Sequence, residues 1–254
     1  MVNKRIALLF FGLMFVVAAI AQTPESLMAE GKKMEQRYKD EDALLQYQQA
    51  LRIAPKNQQV VIRCADVMYA MALHEADMIK QLEVLEQAKK YADAAYALDT
   101  LNAEANAMLA LIYSDIAKRT KSKPAIANAI QMMKWHADKA LAVAPDDALA
   151  LHVSGKWHLE VLQLNGVKKA AISLAYGGGI KEANIKEAIA LMELSKKHAP
   201  YYTYNYYDLA NAYTFDKQYE KAVDLLQQLQ KLPAKRQLDK DIKTWGAAAL
   251  QKLQ

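Results

Sequence analysis

The sequence predicts an all-α protein, a right-handed solenoid of about five degenerate helix pairs with an inserted helix and a C-terminal capping helix. One observation is the composition. Only 8 Gly and 6 Pro occur in 254 residues, and abundant Ala, Leu, Lys, Gln and Glu are typical of helices joined by short turns. The other is a recurring pattern of small and large apolar residues in helix pairs. Such a pair cannot bury its apolar faces alone, so it predicts stacked neighbours of the same kind.

The first 21 residues predict a secretory signal peptide. Lys4 and Arg5 precede an uncharged run over residues 6–21 that ends Ala-Ile-Ala, as a cleavable leader does. The alternative is an uncleaved anchor, but a bilayer span needs about twenty apolar residues, so cleavage after Ala21 is favoured. We therefore expect an exported protein, periplasmic or secreted. Residues 22–254 then form one domain with no integral membrane segment.

Charge and cysteine content limit the possible partners. The chain has 33 basic and 28 acidic residues, and two of the basic ones lie in the predicted signal peptide. The small remaining surplus is spread over the whole chain and predicts no nucleic-acid partner. The single Cys64 cannot form an internal disulfide, so we expect stability to come from packing.

Turn residues delimit the predicted pairs. Proline follows the second helix in four of them, where a helix cannot continue, and Asp99-Thr100 takes that place in the other. The pairs lie near residues 24–55, 57–99, 102–145, 147–200 and 201–233, and the capping helix near 239–253.

In the first pair the second-helix half of the pattern is clear. Gly31 stands where two helices must approach each other, because a helical Gly without such a purpose costs about 1 kcal/mol relative to Ala. Lys56-Asn57 then begins a helix of apolar period near 3.6. We expect its partner helix to run from about Leu82 to Leu98.

Two later pairs carry additions. An insertion beginning at residues 120–124 is expected to delay the second helix of the third pair. In the fourth pair Asp146 and Asp147 suit a helix N-terminus. More residues separate Gly155 from Pro200 than separate Gly31 from Pro55 in the first pair, and the difference is roughly the length of one helix. Residues 165–184 are therefore predicted to hold an inserted helix with a Gly-rich end.

The fifth pair carries the signature of a tetratricopeptide repeat (TPR): Tyr206, Leu209, Ala210, Tyr213, Ala222 and Leu226, with Pro233 displaced by one residue. From about Leu149 to the C-terminus the chain resembles the TPR-like proteins called regulators of microtubule dynamics. That resemblance rests on residues 151–157, the insertion, 185–200, 206–213 and 232–233. It implies a microtubule- or organelle-associated adaptor. An export signal would keep the chain from cytoplasmic filaments, so we carry over the fold and not the microtubule role.

No motif points to catalysis. Gly177–Gly179 lacks the strand and the following Lys-Ser/Thr of a phosphate loop, and the histidines lack the i, i+4 pairing of a zinc helix. Neither a nucleophile elbow nor a Ser/His/Asp order is present, and Cys64 lies in an apolar helical pattern. We expect a protein that is not an enzyme and that holds no cofactor or metal.

The concave groove lined by the first helices is the remaining candidate site. Resemblance to TPR proteins identifies the residues of this groove, counted from the signature positions. It implies that Asn211 binds a peptide backbone and that Lys156 binds a carboxylate. The predicted partner-binding residues are His152, Lys156, Tyr204, Tyr207, Asn211 and Phe215; further groove positions are Glu104, Leu111, Ser114, Asp115, Leu159, Glu160 and Thr214. The alternative, that the tyrosines only pack against the inserted helix, is equally supported, except that Tyr206 and Tyr213 are assigned to packing.

The first functional hypothesis is an exported, non-catalytic adaptor or scaffold that binds a peptide or partner protein in this groove. A homo-oligomer is compatible with it. The alternative is a periplasmic small-molecule carrier, or an accessory component of a solute transporter, with an apolar cavity. A third is a purely structural envelope protein. A binding groove, a channel and a curved surface without a binding site would all have the same helix pattern. The sequence therefore leaves the choice open.

Overall fold

The computed structural model describes residues 22–164 and 183–254, with positions 166, 169, 170 and 173 between them. The predicted signal peptide and the Gly-rich end of the insertion lie outside the described residues. Within them all regular structure is helical, which confirms the all-α class. Positions 166, 169, 170 and 173 are helical, and eleven further α-helices have defined bounds. They are α1 Pro24–Gln36, α2 Asp40–Ile53, α3 Gln58–His74, α4 Met78–Leu98, α5 Ala103–Arg119, α6 Lys123–Val143, α7 Ala148–Gln163, α8 Ile185–His198, α9 Thr203–Phe215, α10 Tyr219–Lys231 and α11 Gln237–Leu253.

The helices form a solenoid of two layers. Each odd-numbered helix from α1 to α9 packs on the even-numbered helix that follows it, and α3, α5, α7 and α9 also contact one another in sequence. These four helices make the inner layer, while α4, α6, α8 and α10 lie outside. No helix in the described part of the chain combines the length and apolar character needed to cross a membrane.

Side-chain caps explain where most helices begin. Asn57, Asp77, Asn102 and Asp147 each accept a hydrogen bond from a backbone N–H in the first turn of α3, α4, α5 and α7. Such caps stabilise a helix end by about 1 kcal/mol. Asp77 accepts from the backbone N–H groups of residues 79 and 80, both at 2.9 Å, so α4 begins at Met78, ahead of the expected Leu82.

The expected delay before α6 is wrong. Ser122 caps the helix, and α6 begins at Lys123 with Pro124 in its first turn. A proline is tolerated there because the N–H that it lacks would have no intrahelical partner. The segment from Thr120 to Ser122 is therefore a short turn.

Glycines allow close contact between paired helices, as predicted for Gly31. A Cβ added there would come within 2.5–2.9 Å of the Tyr47 ring, and one added at Gly155 would lie 2.9 Å from the carbonyl oxygen of Ala188. Tyr206 and Tyr213 are buried, which confirms that they serve packing.

Helix α11 does more than cap the solenoid. It packs on α10 and α9, and it also reaches α3 near the other end of the chain. The segment before it continues this contact: Arg236 pairs with Asp66 of α3, and the Tyr38 hydroxyl donates to the carbonyl oxygen of Ala234 at 3.1 Å. The C-terminal segment therefore lies along the inner layer and joins the two ends of the repeat array.

Candidate functional site

The inner layer and α11 enclose two cavities. The first, of about 240 Å³, lies near the C-terminal ends of α5 and α7 and beside the middle of α9, and we call it the polar cavity. The second, of about 400 Å³, lies at the N-terminal ends of the same helices, and we call it the apolar cavity. Side chains that line the polar cavity include Asp115, Lys118, Lys156, Glu160, Tyr207 and Trp245. Those of the apolar cavity include Met108, Leu111, Leu149, Tyr202, Leu238 and Ile242.

A layer of buried polar side chains joins the inner helices beside these cavities. This polar layer consists of Tyr69, Asp115, His152, Lys156, Tyr204 and Asp208. The Tyr69 hydroxyl donates to the Asp115 carboxylate at 2.6 Å and lies 3.5 Å from the Tyr204 hydroxyl. These contacts link α3, α5 and α9. Buried polar groups that are satisfied in this way favour one arrangement of the helices.

Lys156 is the cation at the centre of the polar layer, and it is only 1% exposed. Its ammonium donates to the Asp208 carboxylate at 2.6 Å and lies 3.3 Å from that of Glu160. Burial alone would lower the pKa of Lys156, but these carboxylates raise it above its ordinary value. Burial likewise favours a protonated Asp208, yet Lys156 and His152 hold the pKa of Asp208 below its usual range. Both groups are therefore charged at neutral pH.

His152 is fully buried and completes this network. Its Nε2 lies 3.0 Å from the Asp208 carboxylate, and its Nδ1 lies 3.1 Å from the Tyr202 hydroxyl. Burial lowers the pKa of His152, although the Asp208 carboxylate opposes that shift. A neutral imidazole that donates from Nε2–H and accepts the Tyr202 O–H at Nδ1 satisfies all three groups.

The structure brings four of the six predicted partner-binding residues to one place. Lys156, Tyr204, Tyr207 and Asn211 line the polar cavity. His152 lies in the polar layer, and Phe215 is 42% exposed at the end of α9 and lines neither cavity. Of the other groove positions, Asp115, Leu159 and Glu160 line the polar cavity. Glu104 and Leu111 line the apolar cavity. The Ser114 hydroxyl donates to Glu160, and the Thr214 hydroxyl donates to the carbonyl oxygen of Ala210.

Sequence reasoning missed the contribution of α11 to this site. Trp245 lies edge-on or tilted to the rings of Tyr204 and Tyr207, with centroids 6.4 and 6.0 Å apart, and Leu238 and Ile242 form one wall of the apolar cavity. The signal was present, because Leu238, Ile242 and Trp245 recur at the i, i+4, i+7 spacing of an apolar helix face.

The charged groups of the polar cavity are paired with one another. Arg119 donates to Asp115 at 2.6 Å, and Lys118 lies 2.7 Å from Glu160. In the ranges that the structure describes, no group of three or more His, Cys, Asp and Glu side chains is arranged to hold a metal ion. The polar cavity is thus a neutral, hydrogen-bonding surface.

Comparison with solved structures supports the fold. TTC0263, a thermophilic TPR protein of Thermus thermophilus, is 14% identical, with 90% of this chain and 99% of that chain covered and a TM-score of 0.61. PilF of Pseudomonas aeruginosa is also 14% identical, with 91% of each chain covered and a TM-score of 0.47. At such identities the likeness to TTC0263 shows the fold alone.

Comparison with protein families identifies a match over most of the chain. The family model described as "Regulator of microtubule dynamics protein 1-3" matches residues 27–254, which extends well upstream of the part that carries the resemblance noted above. No individual curated protein matches the chain.

Proposed function

This chain belongs to the family of regulator of microtubule dynamics proteins 1-3, and from that premise we propose that it is a scaffold that binds a segment of a partner protein on its inner face. TPR-like folds of this kind serve as protein-interaction scaffolds and are generally non-catalytic. Stacked helix pairs suit this task because the inner helices present one continuous surface.

One observation carries the proposal: the inner face already accommodates a helix of this chain. Helix α11 packs its apolar residues Leu238, Ile242 and Trp245 toward α3 and α9, in the manner of an amphipathic helix in a groove. A cavity remains on either side of Tyr204. A partner segment would use these cavities, with Tyr207 and Trp245 as aromatic anchors and Asn211 as a hydrogen-bonding group.

The compartment follows from the predicted signal peptide. An exported scaffold would meet its partner in the periplasm or outside the cell, so the microtubule role in the family's name is not part of the proposal. The partner should therefore be another exported protein.

Affinity capture from the envelope fraction of the source organism tests this function. The wild-type protein should recover one stoichiometric protein partner, and the variant Tyr207→Ala Asn211→Ala should lose most of it. Tyr219→Ala is a matched control, because Tyr219 is 51% exposed on the outer helix α10 and lines neither cavity. Equal capture by the double variant would refute the assignment of the inner face.

The apolar cavity favours a second candidate, a small-molecule carrier. Its volume of about 400 Å³ falls within the roughly 300–1,000 Å³ of ordinary ligand pockets. Native mass spectrometry of the purified protein would reveal a bound compound of low molecular weight under this function, and bare protein would argue against it.

A further inference from the structure

The mouth of the apolar cavity carries negative charge that the protein does not neutralise. Four carboxylates and one guanidinium line it: Asp66, Glu104, Asp147, Asp239 and Arg236. Asp66 is neutralised, since Arg236 and Arg63 both donate to it, at 2.8 and 2.7 Å. Asp239 accepts from the Thr203 hydroxyl and from two backbone N–H groups.

Glu104 and Asp147 are different. Both are exposed at the mouth. Among the described residues, Glu104 accepts only a long bond of 3.4 Å from the Gln59 amide, and Asp147 accepts the backbone N–H of Ala150 at 2.8 Å as the cap of α7. Neither has a basic side chain within ion-pair distance in that part of the chain. Their free oxygen atoms remain available to a bound cation.

Repulsion among the carboxylates at the mouth also favours a bound cation. Partial burial raises the pKa of Glu104, and the nearby carboxylates of Asp66 and Asp147 raise it further, against the opposing effect of Gln59 and Arg63. A cation placed between Glu104 and Asp147 would relieve that repulsion.

The polar cavity has no comparable preference for a cation or an anion. Its cations Lys118, Arg119 and Lys156 face an equal number of carboxylates, those of Asp115, Glu160 and Asp208. The inner face can therefore select a charged partner group only at the mouth of the apolar cavity. The walls behind that mouth, formed by Met108, Leu111, Leu149, Leu238 and Ile242, are aliphatic.

We propose that the apolar cavity is the specificity pocket for the partner segment, taking one of its large apolar side chains while a neighbouring Lys or Arg pairs with Glu104 and Asp147. This inference rests on the proposed scaffold function and names the partner chemistry for it. The apolar side chain loses water against the aliphatic walls. The basic residue forms charge-assisted hydrogen bonds with two carboxylates that would otherwise repel each other.

Selection of a phage-displayed peptide library on the purified protein tests the inference. Enriched peptides should carry Lys or Arg within one helical turn of Leu, Ile, Met or Phe. The variant Glu104→Gln Asp147→Asn should weaken binding of the best such peptide by about tenfold or more, as expected for loss of hydrogen bonds to a charged group. Asn is as good a helix cap as Asp, so the fold should be retained.

Glu83→Gln Glu86→Gln is the matched control. Both residues are exposed on the outer helix α4, and the change in net charge is the same, so peptide affinity should stay within about twofold of wild type. Each other result is decisive. Enriched peptides without a basic residue, or affinity unchanged in Glu104→Gln Asp147→Asn, would overturn this inference and leave the scaffold function standing. A library that yields no binder would overturn both.

Discussion

Arg236 and Asp66 are 170 positions apart in the sequence, yet the guanidinium donates two hydrogen bonds to the carboxylate, at 2.8 and 3.1 Å. The pair joins the segment before α11 to the middle of α3. It therefore holds α11 along the inner layer, and both residues line the apolar cavity.

Replacement of Arg236 should destabilise the protein. Arg236→Met removes both bonds and leaves Asp66 with Arg63 as its remaining cation, so the free energy of unfolding should fall by about 2 kcal/mol. Urea denaturation measures it. Lys33→Met is the control, because Lys33 pairs with Glu30 on the surface and should change stability by less than about 1 kcal/mol. Equal effects of the two substitutions would contradict the role of the Arg236 pair.

The polar layer should behave as a coupled unit. Lys156→Met leaves the buried Asp208 carboxylate without its closest cation, and Asp208→Asn removes the closest carboxylate from Lys156. Each should cost about 3 kcal/mol, and the double variant should cost at least about 1 kcal/mol less than the sum. The exposed pair Lys134–Asp138 provides the control cycle, with coupling of about 0.5 kcal/mol or less. Additive losses at Lys156 and Asp208 would refute the coupling.

Asp40 should make stability depend on pH. Burial raises the pKa of Asp40 to about 6, Arg236 opposes this, and the carboxylates of Glu35, Asp66 and Asp241 add to it. An acid whose pKa is higher in the folded state binds its proton more tightly there, so this group lowers stability as pH rises from about 4 to 6.

Asp40→Asn removes that titration. The variant should be more stable than wild type by about 2 kcal/mol at pH 7.5, which is less than the full shift in pKa would give because solvent screens this partly exposed group, and the difference should vanish near pH 4. Thermal or urea unfolding at several pH values measures it. A difference that is constant with pH, or that grows as pH falls, would contradict the raised pKa.

Gly155 should not tolerate a side chain. A Cβ there would lie 2.9 Å from both the Ala188 carbonyl oxygen and the Met192 Cγ, so Gly155→Ala should force α7 and α8 apart and cost about 2 kcal/mol. Gly166→Ala is the matched control, because no described atom lies within 4 Å of its added Cβ. It should be neutral or slightly stabilising, since Ala favours helix. Similar denaturation midpoints for the two variants would contradict the close packing.

The packing of each pair could be predicted from local pattern. Tyr206, Leu209 and Ala210 lie at signature positions and are buried, because helix periodicity alone brings them to the face that meets the next helix. The start of α7 was also readable from its cap Asp147, whereas the caps Asp77 and Ser122 of α4 and α6 were overlooked. These are properties of residues three or four positions apart.

The site is built from contacts between residues that are far apart in the sequence. The spacing of residues in a single sequence does not predict such contacts. Lys156 meets Asp208 across 52 positions, and its charge gives no hint that it is buried. The position of α11 follows from the curvature accumulated over all the pairs, so its helical pattern predicted a cap but not its contact with α3. For the same reason the two cavities could not be foreseen as separate spaces.

Site-specific photocrosslinking tests the central claim, that the inner face is the partner-binding surface. Benzoylphenylalanine would be introduced at Tyr207 beside the polar cavity and, separately, at Tyr219 on the outer helix α10, in cells that express the protein. Irradiation should join the protein to a partner through position 207 and not through position 219. A partner adduct formed through position 219 alone, or through neither position, would contradict the account.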